Sequence, residues 1–261
     1  MKKWSLGLTL TAISTLSIAQ SIDVMSYNVE GGYLSDAKVT TVASYLKAAP
    51  KADIYGFSEL TQYWSPQLKS QMGEQYRYLN SDQATDTTDA LALFFDSSKF
   101  KAVETGELVF NEHKHERPAL YARLKDKREN IEFIVMVNHL MRGDASIRQR
   151  QSKKLQAWVS GQTLPVVALG DYNFDYDVPT GKTNQAYREF VAGGYWQWVK
   201  PTTLVKTGCH KNYNSILDFV FVANGAKGTS EILFAEPEYC NDDDKRPDHR
   251  PVFASVKIPT S

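Results

Sequence analysis

The chain has 261 residues, 42 % of them hydrophobic and 23 % charged, with Lys+Arg and Asp+Glu both at 30. Setting aside residues 1–19 removes two lysines and no acid, leaving 28 basic against 30 acidic side chains. That balance excludes a protein whose overall basic field gathers nucleic acid, and the lack of repeats, low-complexity tracts or Pro/Gly/Ser-rich linkers points to one large domain.

In chain order, Lys2 and Lys3 give a positive start and Leu6 to Ile18 is apolar except for Ser, Thr and Gly. Ser17-Ile18-Ala19 then offers a small-x-small cleavage site. The stretch falls short of the ~20 residues that span a bilayer. Residues 1–19 are therefore expected to be an export signal, with a buried helix or a retained anchor as the alternative. Residues 20–261 form the expected mature domain, secreted or periplasmic, monomeric and without stable membrane insertion.

Strand-like runs follow at Ile22–Val29, Asp53–Phe57, Ala90–Phe95, Leu120–Leu124, Ile131–Asn138, Pro165–Leu169, Ile216–Val222 and Pro251–Val256. Several are continuously apolar, as in strands covered on both faces. Between them, Asp36–Ala49 reads as a helix with Asp36 as N-cap, a stripe of Val39, Val42, Ala43 and Leu46, and Pro50 as the stop. Asp144–Ser160 repeats that design with Ile147, Leu155, Trp158 and Val159 inward, and Asn184–Val191 is a shorter helix. Strands mixed with a few helices give an α/β or α+β class with central sheets.

Chemistry-bearing side chains recur at the ends of these strands, where a sheet scaffold usually places ligands. Asn28, Glu59, His139, Asp171 and Asn173 follow apolar runs, and Asp248-His249 precedes the last one. In Asp171-Tyr172-Asn173 an extended chain puts a carboxylate and an amide on one side, although an Asx turn fits the same residues. Arg246-Pro247-Asp248-His249-Arg250-Pro251 holds a carboxylate beside an imidazole between prolines, suited to acid–base work or equally to a charged turn. Asp218 interrupts the apolar strand Ile216–Val222, so its buried charge requires a partner: an imidazolium, an arginine or backbone amides. Glu59 ends another apolar run and suits Mg²⁺, Mn²⁺ or Ca²⁺ better than zinc. The two cysteines, Cys209 and Cys240, are expected to form a disulfide in an exported chain, a free buried pair being the alternative.

The motifs, in order, are Ser26-Tyr27-Asn28-Val29, Gly56-Phe57-Ser58-Glu59-Leu60, Leu91-Ala92-Leu93-Phe94-Phe95, Arg117-Pro118, Asn138-His139-Leu140, Gly170-Asp171-Tyr172-Asn173, Leu217-Asp218-Phe219 and Asp248-His249-Arg250-Pro251. The series resembles the endonuclease/exonuclease/phosphatase superfamily from about Ile22 to Val256. The resemblance implies a four-layered sandwich of two packed β-sheets flanked by helices. It implies a metal on Glu59 with Asn28 and Asp248 beside it, and phosphate contacts from Asn28, Arg117 and Asn173. Asp171 becomes the residue handling the attacking water, His249 the catalytic histidine oriented by Asp218, and His139 a second histidine on the scissile phosphate. Two positions depart from the family pattern: Ser58 stands where Gln is usual, and Pro247 where Ser is frequent.

The implied activity is Mg²⁺-class phosphoester hydrolysis, foremost by an extracellular nuclease acting on DNA or RNA. Alternatives are a sphingomyelinase-type phospholipase, a phosphomonoesterase, or a non-catalytic binding module. Three features draw less weight. Glu112, His113, His115 and Glu116 form a metal-like cluster that loop polarity explains, and Asp242–Asp244 reads as a solvated acidic loop. Tyr195, Trp196 and Trp198 offer rings for base stacking but fit a core equally well.

Overall fold

The computed structural model describes residues 20–31, 36–82, 89–111, 116–240 and 246–260. The expected export signal, residues Glu112, His113 and His115, and Asp242–Asp244 lie outside the described residues.

The elements are β1 (Gln20–Asn28), α1 (Asp36–Ala48), β2 (Ile54–Leu60), α2 (Trp64–Met72), β3 (Tyr76–Asn80), β4 (Ala90–Asp96), β5 (Phe100–Leu108) and β6 (Ala119–Asp126). After them come β7 (Glu132–His139), α3 (Ala145–Ser160), β8 (Val166–Asp177), α4 (Gln185–Val191), β9 (Gln197–Trp198), β10 (Ser215–Ala223), β11 (Lys227–Ile232) and β12 (Val252–Ile258). They form two six-stranded sheets, ordered β11-β12-β1-β2-β4-β3 and β5-β6-β7-β8-β10-β9. Each sheet holds one parallel pair, β1–β2 joined through α1 and β7–β8 joined through α3; the other pairings are antiparallel. Two mixed sheets flanked by helices make the expected four-layered α+β sandwich.

The continuously apolar runs are explained by this layering. In the first sheet Val24, Ile54, Leu91 and Leu93 face the second, meeting Val135, Val137 and Leu169. The alternate residues Met25, Tyr27, Tyr55, Phe57 and Phe94 lie under Val39, Val42, Ala43 and Leu46 of α1 and Trp64 and Leu68 of α2. Both faces of the central strands are therefore dry. Fully burying a single such side chain is worth about 1.5–3 kcal/mol. Gly56 lets the sheets approach closely: a Cβ there would sit 3.0 Å from the Val137 and Leu169 side chains opposite.

The four predicted α1 stripe residues are all buried. Asp144 caps α3, accepting from the amides of Ser146 at 2.8 Å and Ile147 at 3.1 Å, and Asn184 caps α4 through the Tyr187 amide. The inward face of α3 differs from expectation, however. Leu155 and Val159 are buried with Arg148, Gln151 and Ser152, while Ile147 and Trp158 sit at the margin. The reason is chemical: Arg148 Nη1 donates to the carbonyls of Met141 and Arg142, and Gln151 accepts the Met141 amide. That polar face braces the loop after β7.

Candidate active site

The two parallel pairs end at the same edge of the sandwich, and the site forms where those ends meet. In the first sheet, the β2–β4 register shifts between Phe57 and Leu60, and Glu59 adopts φ 52°. In the second, the β10–β8 register shifts after Asp218↔Asp171, and Asn173 and Asp175 both take φ 50°. Bulges of this kind re-aim side chains at sheet ends. Here one brings Glu59, and the other Asn173, out of the pleat. Gly170 admits the turn: its φ is 142°, and a Cβ would lie 1.9 Å from the Asn138 carbonyl oxygen.

Asn28 joins the two sheets. Its Nδ2 donates to Glu59 Oε1 at 2.9 Å and to Asp171 Oδ2 at 3.2 Å, while its Oδ1 accepts the Glu30 amide at 3.0 Å. His139 lies over the same carboxylates, with Nε2 3.6 Å from both Glu59 Oε1 and Asp171 Oδ2. On its far side Nδ1 faces Asp89 Oδ1 at 3.5 Å. Asp89 also binds Arg117 Nη1, and Arg117 donates from Nε to the His139 carbonyl at 3.2 Å. Burial opposes ionisation of Asp89, but His139 and Arg117 outweigh it and hold its carboxyl below the usual range. Arg117 thus spends its donors on Asp89 and the β7 end, one layer behind the reacting edge.

His249 forms the other half. Its Nδ1 lies 2.7 Å from Asp218 Oδ2 and its Nε2 lies 3.9 Å from Asp171 Oδ2. Asp171 and Asp218 are directly paired across β8 and β10, where two like charges repel. An imidazolium above them relieves that repulsion. Burial works against a charged His249 ring, yet Asp218, then Asp171 and Asp248, raise its pKa well above the ordinary value. Burial, the leading cause, also raises Asp171, with His249 pulling the other way. Asn173 donates its amide to Asp171 Oδ1 at 2.9 Å and its Nδ2 to the Leu140 carbonyl at 3.0 Å.

The His249 loop is braced from two directions. Thr207 Oγ1 accepts the amides of Leu217 at 2.8 Å and Asp218 at 3.1 Å, and the Thr207 carbonyl accepts the Arg250 amide at 2.8 Å. Tyr239 donates its hydroxyl to the His249 carbonyl at 2.8 Å. Cys209 and Cys240 are bonded, as expected, and tie the Thr207–Cys209 segment to the turn bearing Tyr239. Asp248 is half-exposed at the rim, its amide donated to Glu30 Oε2, which Lys38 Nζ also binds at 2.8 Å.

Glu59, His139 and Asp171 each offer a donor atom within 4.8 Å of the others. The His139 nitrogen does not close a hydrogen bond to either carboxylate, and a two-carboxylate, one-imidazole gap open through Glu59 fits a divalent cation. Asp171, Asp218 and His249 are equally close, but there the direct His249–Asp218 contact fills the space.

The family model for the endonuclease/exonuclease/phosphatase family matches residues 25–237, the greater part of the chain. The chain belongs to that family. It is therefore a phosphoesterase by family, and such enzymes generally depend on a divalent metal. Among solved structures it is similar to an endonuclease/exonuclease/phosphatase family protein from Bacteroides thetaiotaomicron, at 21 % identity and TM-score 0.75, covering 93 % of this chain and 99 % of that one. It is also similar to a mannosyl-6-phosphatase from the same organism, at 21 % identity and TM-score 0.72, over 91 % and 100 %. TDP2 of D. rerio in complex with a single-strand DNA product is similar at 16 % identity and TM-score 0.71, over 91 % and 99 %. No curated protein matches the chain.

The residues expected at the site in this family member all reach it: Asn28, Glu59, His139, Asp171, Asn173, Asp218, Asp248 and His249 line one edge, with Arg117 behind. Sequence reading missed Asp89, Thr207, Glu30, Lys38 and Tyr239. Asp89 had a usable signal, since it immediately precedes β4. Because β4 runs antiparallel to β2, with Leu60 opposite Ala90, its amino end lies at the carboxyl end of β2. Thr207 and Tyr239 sit in loops whose pairing no local pattern announces. The Tyr195, Trp196 and Trp198 rings divide. Trp196 is buried and stacked on Phe190, Trp198 packs against Tyr176 and Phe219, and only Tyr195 is exposed.

Proposed function

We propose that this protein is an exported, Mg²⁺-class phosphodiesterase that hydrolyses nucleic-acid-type diesters in line, acting as a monomer. The observation that carries the reading is a single space bounded by Glu59 and Asp171 and approached by two imidazoles. Each ring turns one nitrogen inward and faces a buried or half-buried carboxylate with the other. One ring then serves the oxygen that must leave and the other the non-bridging oxygens that carry the developing charge.

A divalent ion held by Glu59, Asp171 or His139, with Asn28 and Asp248 nearby, would neutralise phosphate charge and favour charge developing in the transition state. Asp171, buried at the edge of that space, takes the proton of the attacking water. His249, kept protonated by Asp218, gives a proton from Nε2 to the leaving oxygen. His139 and Asn173 hydrogen-bond the non-bridging oxygens. Arg117 contributes indirectly, by fixing Asp89 and the His139 backbone. The balanced charge supports short or locally bound substrates over long polymers held by a basic field.

A phosphomonoesterase is the second reading, favoured by the fold likeness to the mannosyl-6-phosphatase over the full length of that chain. The test uses purified protein with Mg²⁺, Mn²⁺ or Ca²⁺ on plasmid DNA, RNA, sphingomyelin and small phosphate mono- and diesters, with Glu59→Ala and His249→Ala as controls. Metal-dependent cleavage of nucleic acid, lost in both variants and in EDTA, supports the reading. Inertness on every ester, or full activity in the variants, refutes it.

A further inference from the structure

Beside His249 the surface opens into a cleft of about 380 Å³, lined by Arg142, Asp175, His210, Tyr213 and Asp248 among others. Clefts of ~300–1,000 Å³ hold small organic ligands. Three features of its wall are unused by the chemistry above. Tyr213 is 60 % exposed, one of three large hydrophobic side chains so placed among the described residues. Its ring lies against His210, centroids 4.9 Å apart and planes 34° from parallel. The Asn212 amide donates to His210 Nδ1, which fixes the orientation of the His210 ring. This ring pair is held in place: the Tyr213 amide and Lys206 Nζ both donate to the His210 carbonyl, and the disulfide anchors Cys209 next door.

The third feature is a free cation. Arg117, Arg148, Arg150 and Arg250 are each engaged by carboxylates or carbonyls. The Arg142 guanidinium, exposed at the cleft, has no partner among the described residues. An aromatic surface and an unpaired guanidinium flanking the catalytic histidine match a planar ring with a phosphate beyond it.

We infer that this cleft binds the nucleotide next to the scissile phosphate, with Tyr213 and His210 stacking its base and Arg142 meeting its second phosphate. The inference rests on the phosphodiesterase reading and deepens it to a substrate class: single-stranded or frayed nucleic acid, whose bases are free to stack. A duplex keeps its bases stacked inside, so it reaches this site only at ends or openings.

The experiment is calorimetric titration of the purified protein, in EDTA to stop turnover, with a thymidine tetranucleotide and with a strand of equal length lacking bases. The base-bearing strand should bind about tenfold more tightly, Tyr213→Ala should abolish that difference, and Tyr213→Phe should keep it. In Arg142→Ala the slope of log affinity against log salt should flatten by about 0.7, one phosphate contact on a single strand. Equal binding of the two strands, an undiminished difference in Tyr213→Ala, no binding by wild type, or tighter binding of mannose 6-phosphate would each overturn the assignment. Turnover of bis(p-nitrophenyl) phosphate with Mg²⁺ separates the two readings. Base-dependent binding without turnover sinks the hydrolase reading alone, and turnover with base-independent binding sinks the cleft assignment alone.

Discussion

Thr207→Val removes one oxygen from behind the His249–Asp218 pair. Thr207 is fully buried, and its hydroxyl is the acceptor for the Leu217 and Asp218 amides at 2.8 and 3.1 Å. Those amides need it because the β8–β10 ladder breaks between Ile216 and Asp218. Valine fills nearly the same volume but accepts nothing. Each stranded N–H costs ~1–3 kcal/mol, so two cost about 2–4 kcal/mol after local relaxation. Thr207→Ser keeps the acceptor and loses one methyl, about 1 kcal/mol. Urea unfolding gives the stability of all three proteins, and steady-state kinetics gives kcat and KM. The valine variant should also lose kcat, by about tenfold or more with KM little changed, because a displaced Asp218 no longer aims His249. Serine should restore most of that kcat. A valine variant within about 0.5 kcal/mol of wild type would refute the bracing argument.

Asp218→Asn should lower kcat by about 10²–10⁴-fold while leaving KM nearly unchanged, since the buried His249 ring loses its counter-charge at 2.7 Å; a loss under threefold would contradict the assigned pairing. Replacing both Cys209 and Cys240 by Ser opens a loop of sequence separation 31 and should cost about 3–4 kcal/mol in urea unfolding. The same double variant should lose activity at a lower temperature than wild type, and an unchanged midpoint would count against the strap. Gly170→Ala should cost roughly 3 kcal/mol or more, or prevent folding, since its Cβ meets the Asn138 carbonyl; a variant as stable as wild type would show that the turn tolerates a side chain.

The strands that carry site residues were legible because their runs are long, apolar and dry on both faces. The missed elements are short or lie at sheet edges and lack a long apolar run. β3 and β11 are edge strands of the first sheet and β5 an edge strand of the second; β5 and β11 are largely polar, and β3 is only five residues long. α2 was hidden by Pro66, which is harmless at the third helical position because amides of the first turn lack intrahelical partners. Among site residues, Glu59 and Asp171 follow their strands and so could be read directly. Asp89 escaped because it precedes its strand, and an antiparallel neighbour reverses which end matters. Thr207 escaped because its role is set by a bulge between β8 and β10, and registers are tertiary facts. The marginal place of Ile147 and Trp158 on α3 follows from polar groups taking the inward face to hold the Met141–Arg142 loop.

The first sheet takes β1 to β4 early in the chain and is completed only when β11 and β12 return to pair beside β1. His249 and its loop immediately precede that last strand. During synthesis His249 is therefore the last of the site's residues to be made, after Glu59, His139, Asp171 and Asp218. A chain cut before His249 carries Glu59, His139 and Asp171 yet lacks the ring that pairs with Asp218. The order of the strands thus makes the site depend on the last stretch of the chain for its completion.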